Sequence, residues 1–212
     1  MIRLIGVLIG YLFGCFQTAY IVGELKQKID IREYGSGNLG TTNAIRVLGW
    51  KFGAITFIGD FTKAIAAVLL ASLLFDDPIV GFYAGLGAIM GHNWPVFLKF
   101  KGGKGIASTL GVAMAVNPII GLILMSIMAI TIYISRFVSL GAIIMVITFP
   151  ILTFVFHGDQ IEYILLALFL MAFALFRHRA NIKRLLSGTE SKIGHKKNIV
   201  VEETTAEDEN IK

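Results

Sequence analysis

Apolar residues fall into seven runs, at roughly 4–23, 53–75, 79–94, 105–116, 119–134, 137–156 and 161–176. A helix needs about 20 apolar residues to cross the hydrocarbon core of a bilayer. The first, second and sixth runs meet that length, and the third and seventh are a little short. The fourth and fifth are shorter still and are divided only by Asn117-Pro118. They are read as two compact spans joined by a tight turn, with a single re-entrant hairpin as the alternative. The pattern predicts an all-α, polytopic membrane bundle of about seven spans. Glycine recurs every four residues at Gly6, Gly10 and Gly14, at Gly81 and Gly85, and at Gly87 and Gly91. That spacing lets helices approach closely in lipid.

Composition agrees. Only 16% of the 212 residues are charged, against about 25% in a soluble domain, and the mean hydropathy is +0.76. The net charge of +5 is not a nucleic-acid signal, because lysine and arginine sit at the ends of apolar runs rather than on one face. Nearly all of them lie in the links 24–52, 95–104 and 135–136 and after residue 176. The opposite links, Asp76-Asp77-Pro78, Asn117-Pro118 and His157–Gln160, carry none. Basic loops stay cytoplasmic, which puts the N-terminus outside and the C-terminus inside. Arg3 runs against this rule. Met1-Ile2-Arg3 has no lysine-rich leader and no small-residue cleavage site follows, so the first run is read as a retained span. Cys15 is the one cysteine, which excludes an intrachain disulfide. The expected division is a membrane domain over 1–188 and a disordered cytoplasmic tail over 189–212, acidic and aperiodic, with no part in the chemistry.

The candidate chemistry gathers at the cytoplasmic ends. Gly35-Ser36-Gly37-Asn38-Leu39-Gly40-Thr41-Thr42-Asn43-Ala44-Ile45-Arg46 supplies hydroxyls, amides, open backbone and one arginine. Such groups suit an oxyanion, and Arg46 can grip one in bidentate fashion. His92-Asn93 leads through Pro95 into Gly102-Gly103-Lys104-Gly105. Glycines there let backbone N–H groups converge beside a lysine, as in a phosphate cradle, above all if a helix starts just after it. Asp60 and Lys63 share a helix face inside the second run, where charge is costly. Ser139 follows the short link at Arg136. His178 and Asn181 share a face after the last run. No close metal-ligand spacing appears, and neither a nucleophile elbow nor a Walker loop is present. No cofactor is expected.

With these residues in place, the sequence resembles the bacterial acylphosphate-dependent glycerol-3-phosphate acyltransferases. The stretches that carry the resemblance are Gly35–Arg46, Gly59-Asp60 with Lys63, His92–Gly105, Ser135–Ser139, and His178–Gly188 with Glu190. Ala64 and Ala107 are small departures at loosely defined positions. The resemblance implies transfer of a fatty acyl group from acyl phosphate to the 1-hydroxyl of glycerol 3-phosphate, giving lysophosphatidic acid and phosphate. It implies a bacterial cell membrane enzyme whose site faces the cytoplasm, served by a soluble enzyme that makes acyl phosphate. Its catalytic residues would be Ser36, Arg46, Lys104 and His178. Substrate would also be bound by Gly35, Gly37, Asn38, Gly40, Thr41, Asn43, Lys63, His92, Asn93, Gly102, Gly103, Gly105, Ser139 and Asn181. The His-x4-Asp motif of other glycerolipid acyltransferases is missing: Phe97 stands five residues after His92, and Lys183 five after His178. Two schemes for the proton stay open, departing phosphate or His178 as acceptor. An organic-anion transporter with a cytoplasmic phosphate site is the alternative function.

Overall fold

Most of the spaced glycines serve one helix pair, while Gly81 and Gly85 face Val68, Ser72 and Val112 instead. In the computed structural model, which describes residues 1–193, α1 (Ile2–Cys15) lies against α5 (Pro78–Asn93). A methyl at Gly10 or Gly14 would overlap the carbonyls of Ala84 and Ala88, and one at Gly87 or Gly91 would strike the α1 backbone. Glycine on both sides therefore brings the two backbones into contact.

Every predicted run is helical, and no strand occurs among the described residues. α1 breaks at Phe16-Gln17 and resumes as α2 (Thr18–Gln27); α4 is Trp50–Phe75, α6 Ile106–Val116, α7 Pro118–Ser135, α8 Val138–His157 and α9 Ile161–Arg177. Two short helices complete the set, α3 (Thr41–Leu48) and α10 (Arg179–Leu186). Asp77 and Asn117 cap α5 and α7 with their side chains, and proline opens both helices. Proline at that position loses no helical hydrogen bond.

Length separates these helices. Four segments are long and apolar enough to cross a membrane, Ile2–Gln27, α4, α7 and α8; α9 with α10, bent by 62°, makes a fifth if counted as one. That falls short of the expected seven. The 16 residues of α5 reach about 24 Å and the 11 of α6 about 16 Å, against a core of about 30 Å.

Two apolar cores result. The large one joins α4, α5, α6, α7, α8 and α9 around Phe82, Phe149, Leu110, Leu124 and Met145. The small one, Ala19, Ile31, Leu39, Ala44 and Leu48 with Leu98 against it, lies beneath the first polar loop and holds it on the bundle. At one end Arg3 pairs with Glu162 at 2.5 Å and Tyr83 donates to the same carboxylate at 2.8 Å. The basic residue that broke the rule is thus neutralised where it stands. Residues 189–193 of the expected tail are tied back: Thr189 N donates to Arg184 O at 2.8 Å and Ile193 N to Arg136 O at 2.8 Å. The remainder of that expected tail, 194–212, lies outside the described residues.

Candidate active site

Asn43 builds the first polar loop. Its amide nitrogen donates to the carbonyls of Ile31 and Tyr34, both at 3.2 Å, and its oxygen accepts from Ser36 N at 2.8 Å. The amide is spent on the loop and is buried. Gly35 has φ +64, and a Cβ there would hit the Asn43 oxygen and press on Arg46. Ser36 is left exposed, braced by the Asn38 amide on its carbonyl at 2.9 Å and its hydroxyl at 3.3 Å. Gly40 caps α3 without a side chain, and the buried Thr41 hydroxyl has no partner. Arg32 joins this loop to the next: it is bidentate to Asp30 and donates to Leu98 O at 3.0 Å. The Arg32 guanidinium holds the Asp30 carboxyl below the usual carboxylate range.

The second loop is the glycine run. Gly103 N donates to His92 O at 3.1 Å, and Arg177 Nη2 donates to Gly103 O at 2.6 Å. Gly103 is wedged between the His92 ring and the Leu39 carbonyl, with no room for a Cβ, so the two polar loops touch there. Gly102 has the same restriction against the carbonyls of His92 and Asn93. Gly105, at φ +81, caps α6 with no side-chain hydrogen bond to its first N–H groups. Asn93 lies against Gly105, fully buried, with both ends of its amide unpaired. An uncapped helix N-terminus beside a lysine is a ready anion site.

Lys104 completes it. Its Nζ donates to Asn181 Oδ1 at 2.5 Å, Asn181 Nδ2 donates to Glu190 at 2.7 Å, and Arg184 Nε pairs with the other Glu190 oxygen at 2.6 Å. Burial, and then the charges of Arg184, Arg177 and Arg46, push the Lys104 ammonium down to about 8, with Glu190 opposing them. Partial burial works to raise the Glu190 pKa, but Ser139, Asn181 and Arg184 around it outweigh that, and the net direction is down. Ser139 itself is buried at the start of α8, its hydroxyl without a direct hydrogen bond. His178 sits at the bend between α9 and α10, 3% exposed. Its Nδ1 is 2.8 Å from Ala174 O. A carbonyl only accepts, so Nδ1 carries the proton and, in the neutral ring, Nε2 is left as an acceptor.

The structure thus gathers Lys104, Ser139, His178 and Asn181 at one end of the bundle, with Arg46 within electrostatic reach. Lys63 and His92 do not join that cluster. Lys63 Nζ turns inward to Phe16 O at 2.5 Å, Asp60 Oδ1 at 2.8 Å and His92 Nδ1 at 3.0 Å. Arg177 was legible only as an orientation signal, yet it stacks over Trp94 at 5.2 Å and holds the glycine loop. Its adjacency to His178 was the one available hint. Chemically the site offers several cations, two uncapped helix starts and one nearby carboxylate, an arrangement suited to more than one anionic group.

The family model for glycerol-3-phosphate acyltransferase matches residues 4–188. The glycerol-3-phosphate acyltransferase of Thermoanaerobacter pseudethanolicus is 46% identical over 199 residues, 94% of this chain and 100% of that one. The Bacillus subtilis protein of the same name is 40% identical over 187 residues, 88% of this chain and 95% of that one. Among solved structures, PlsY (YgiH), an integral membrane glycerol 3-phosphate acyltransferase in its glycerol 3-phosphate form, superposes with a TM-score of 0.84 at 37% identity, covering 91% of this chain and 96% of that one. Its lysophosphatidic acid form gives 0.81, also at 37% identity, covering 91% and 95%. With all-helical architecture, membrane-length helices and relatives matched along nearly their whole length, this chain belongs to the glycerol-3-phosphate acyltransferase family and is an integral membrane acyltransferase.

Proposed function

We propose that the enzyme takes acyl phosphate as donor and esterifies the 1-hydroxyl of glycerol 3-phosphate, releasing lysophosphatidic acid and phosphate as the first step of phospholipid synthesis. The observation that carries this reading is the crowd of cations at Lys104. Arg46, Arg177 and Arg184 all act on it, with Glu190 as the opposing charge, and that excess suits two phosphates held side by side. The two ligand forms of the PlsY structure support the acceptor and product. The missing His-x4-Asp motif argues against the machinery of thioester-dependent relatives.

An acyl phosphate is an activated mixed anhydride, so no covalent enzyme intermediate is required. The glycerol hydroxyl oxygen attacks the acyl carbon, the bond from that carbon to the phosphate oxygen breaks, and the hydroxyl proton passes to the departing phosphate. That group has a pKa of about 6 and is a competent acceptor. Ser36, Asn38, Thr41 and Arg46 with the start of α3 serve one phosphate; Gly102–Gly105, Lys104 and the start of α6 serve the other. Holding both in attack geometry lowers the barrier chiefly by proximity and charge compensation. His178 Nε2 accepts from the neighbouring, non-attacking hydroxyl of the glycerol and orients the acceptor, leaving the proton of the attacking 1-hydroxyl for the phosphate. No cofactor takes part.

The basic ends face the cytoplasm, with seven passages from an outer N-terminus to an inner C-terminus, the two short helices α5 and α6 included. A soluble acyl phosphate-forming enzyme supplies the donor on that side of the bacterial cell membrane. The transporter alternative lacks support, since transporters gather polar groups near the midplane between repeats, and here they gather at one end. Purified protein given glycerol 3-phosphate should form lysophosphatidic acid from acyl phosphate and none from acyl-CoA. Comparable rates with acyl-CoA would refute the donor assignment.

A further inference from the structure

Between the two polar loops lies a buried charged cluster that the chemistry above does not use. Asp60, Lys63 and His92 are 1%, 7% and 2% exposed. The Lys63 ammonium has three hydrogens and three acceptors around it: Phe16 O, freed by the break after α1, Asp60 Oδ1 and His92 Nδ1. Thr18 Oγ1 adds a bond to Asp60 Oδ1 at 3.2 Å and Ser108 Oγ one to Asp60 O at 3.1 Å. Gln17 Nε2 spans from Gly14 O at 3.0 Å to His92 O at 3.2 Å. No donor of Lys63 is left for a substrate.

The protonation pattern follows from hydrogen-bond chemistry alone. An ammonium only donates, so His92 Nδ1 at 3.0 Å from it must be the bare, accepting nitrogen. His92 Nδ1 is 3.6 Å from Asp60 Oδ1, too far for a competing hydrogen bond. The ring proton is therefore on Nε2, the edge pressed against Gly103. The His92 carbonyl receives Gly103 N on the same side.

We infer that Lys63 and His92 are positioning residues: the Lys63 ammonium fixes His92 as the Nε2–H tautomer, and His92 seats Gly103 so that the Lys104 loop keeps register with the Gly35–Arg46 loop. Neither side chain touches substrate. The turnover part of this inference rests on the proposed donor; the tautomer part does not.

Histidine-labelled NMR on the intact protein in detergent reads the tautomer without substrate. The His92 signal, assigned by its loss in His92→Asn, should show an unprotonated Nδ1 and a protonated Nε2 from pH 6 to 9. A proton on Nδ1 overturns the inference. Asp60→Asn with Lys63→Met removes both charges together and so leaves no lone buried ion. This double variant should show mixed His92 tautomers. Its saturated turnover should fall by at least about 30-fold, with the glycerol 3-phosphate KM within about threefold, as expected for misplacement rather than lost contact. Turnover within threefold of the parent, or a raised KM at unchanged turnover, overturns it. Should the double variant not fold, His92→Asn keeps an acceptor for Lys63 but removes the ring edge at Gly103, and unchanged turnover there is equally fatal. If the parent fails to use acyl phosphate, the donor assignment fails and the tautomer result still stands or falls by itself.

Discussion

Alkaline pH should disable this enzyme through one side chain. Lys104 is held in a partly buried, cation-rich site that brings its ammonium down from 10.5 to about 8, a displacement worth about 3 kcal/mol against the charged form. In the unliganded enzyme about one lysine in ten stays charged at pH 9 and one in a hundred at pH 10, so kcat/KM should fall about tenfold and then about a hundredfold from its plateau. The substrate phosphates titrate near pH 6 and cannot produce this limb. Two bound anions favour the ammonium, so the matching limb in kcat should move to higher pH. Lys104→Arg should abolish the limb, because guanidinium stays charged to beyond pH 12, although its planar fork fits the Asn181 contact poorly and the plateau drops. Stability has its own sign. Between pH 8 and 10.5 Lys104 binds fewer protons in the folded protein than in the unfolded chain, so its own contribution to stability without ligand rises with pH across that window. Initial rates over pH 6.5–10, corrected for spontaneous hydrolysis of the donor, decide the matter. A flat kcat/KM up to pH 9.5, or an unmoved limb in Lys104→Arg, would refute the reasoning.

Other outcomes follow from the same geometry. Lys104→Ala and Arg46→Ala should each lower activity by about tenfold to a thousandfold while the protein still inserts and purifies, since each removes a charge-assisted contact at the loop end. His178→Ala should mostly raise the glycerol 3-phosphate KM; a loss of saturated turnover beyond about a hundredfold, restored by added imidazole, would make His178 the base instead. Gly10→Leu drives a side chain into the Ala84 backbone, so thermal unfolding in detergent should shift down sharply, against almost no shift for Arg3→Ala at the exposed Glu162 pair. In a Cys15→Ala background, Gly158→Cys should react with an impermeant reagent in intact cells and Lys99→Cys should not; the reverse would overturn the orientation.

Hydropathy located every long helix because burial in lipid demands an apolar run wherever a helix crosses. It also showed that the runs behind α5 and α6 fall short of a full span, though a run shows composition and not the thickness it must match. α10 was legible in the shared helix face of His178 and Asn181, whereas α3 escaped notice because short amphipathic helices owe their stability to docking, and nothing in eight residues announces the partner. The phosphate-loop glycines were visible, and the helix expected after Lys104 does begin at Ile106. The inward turn of Lys63 was not visible. The spacing to Asp60 was plain, but the Phe16 carbonyl and the His92 ring reach it from elements 47 and 29 residues away. Asn43 likewise looked like a ligand group, while its partners Ile31 and Tyr34 lie in a turn whose course the sequence does not fix.

The brevity of α6 has an energetic consequence. From Asn117, bonded to His157 at the far end of the bundle, its 11 residues climb about 16 Å of a core about 30 Å thick. The helix is too short to cross such a core alone, and the backbone of the glycine turn above it is enclosed by protein at Gly102, Gly103 and Gly105, so its polar groups are kept from lipid tails. Under the proposed reaction the phosphate head of the donor meets this turn within the bundle while the acyl tail stays in lipid. Lifting a tail of about fifteen methylenes into water would cost about 12 kcal/mol, a barrier that the proposed reaction avoids by leaving the tail of donor and product in the leaflet.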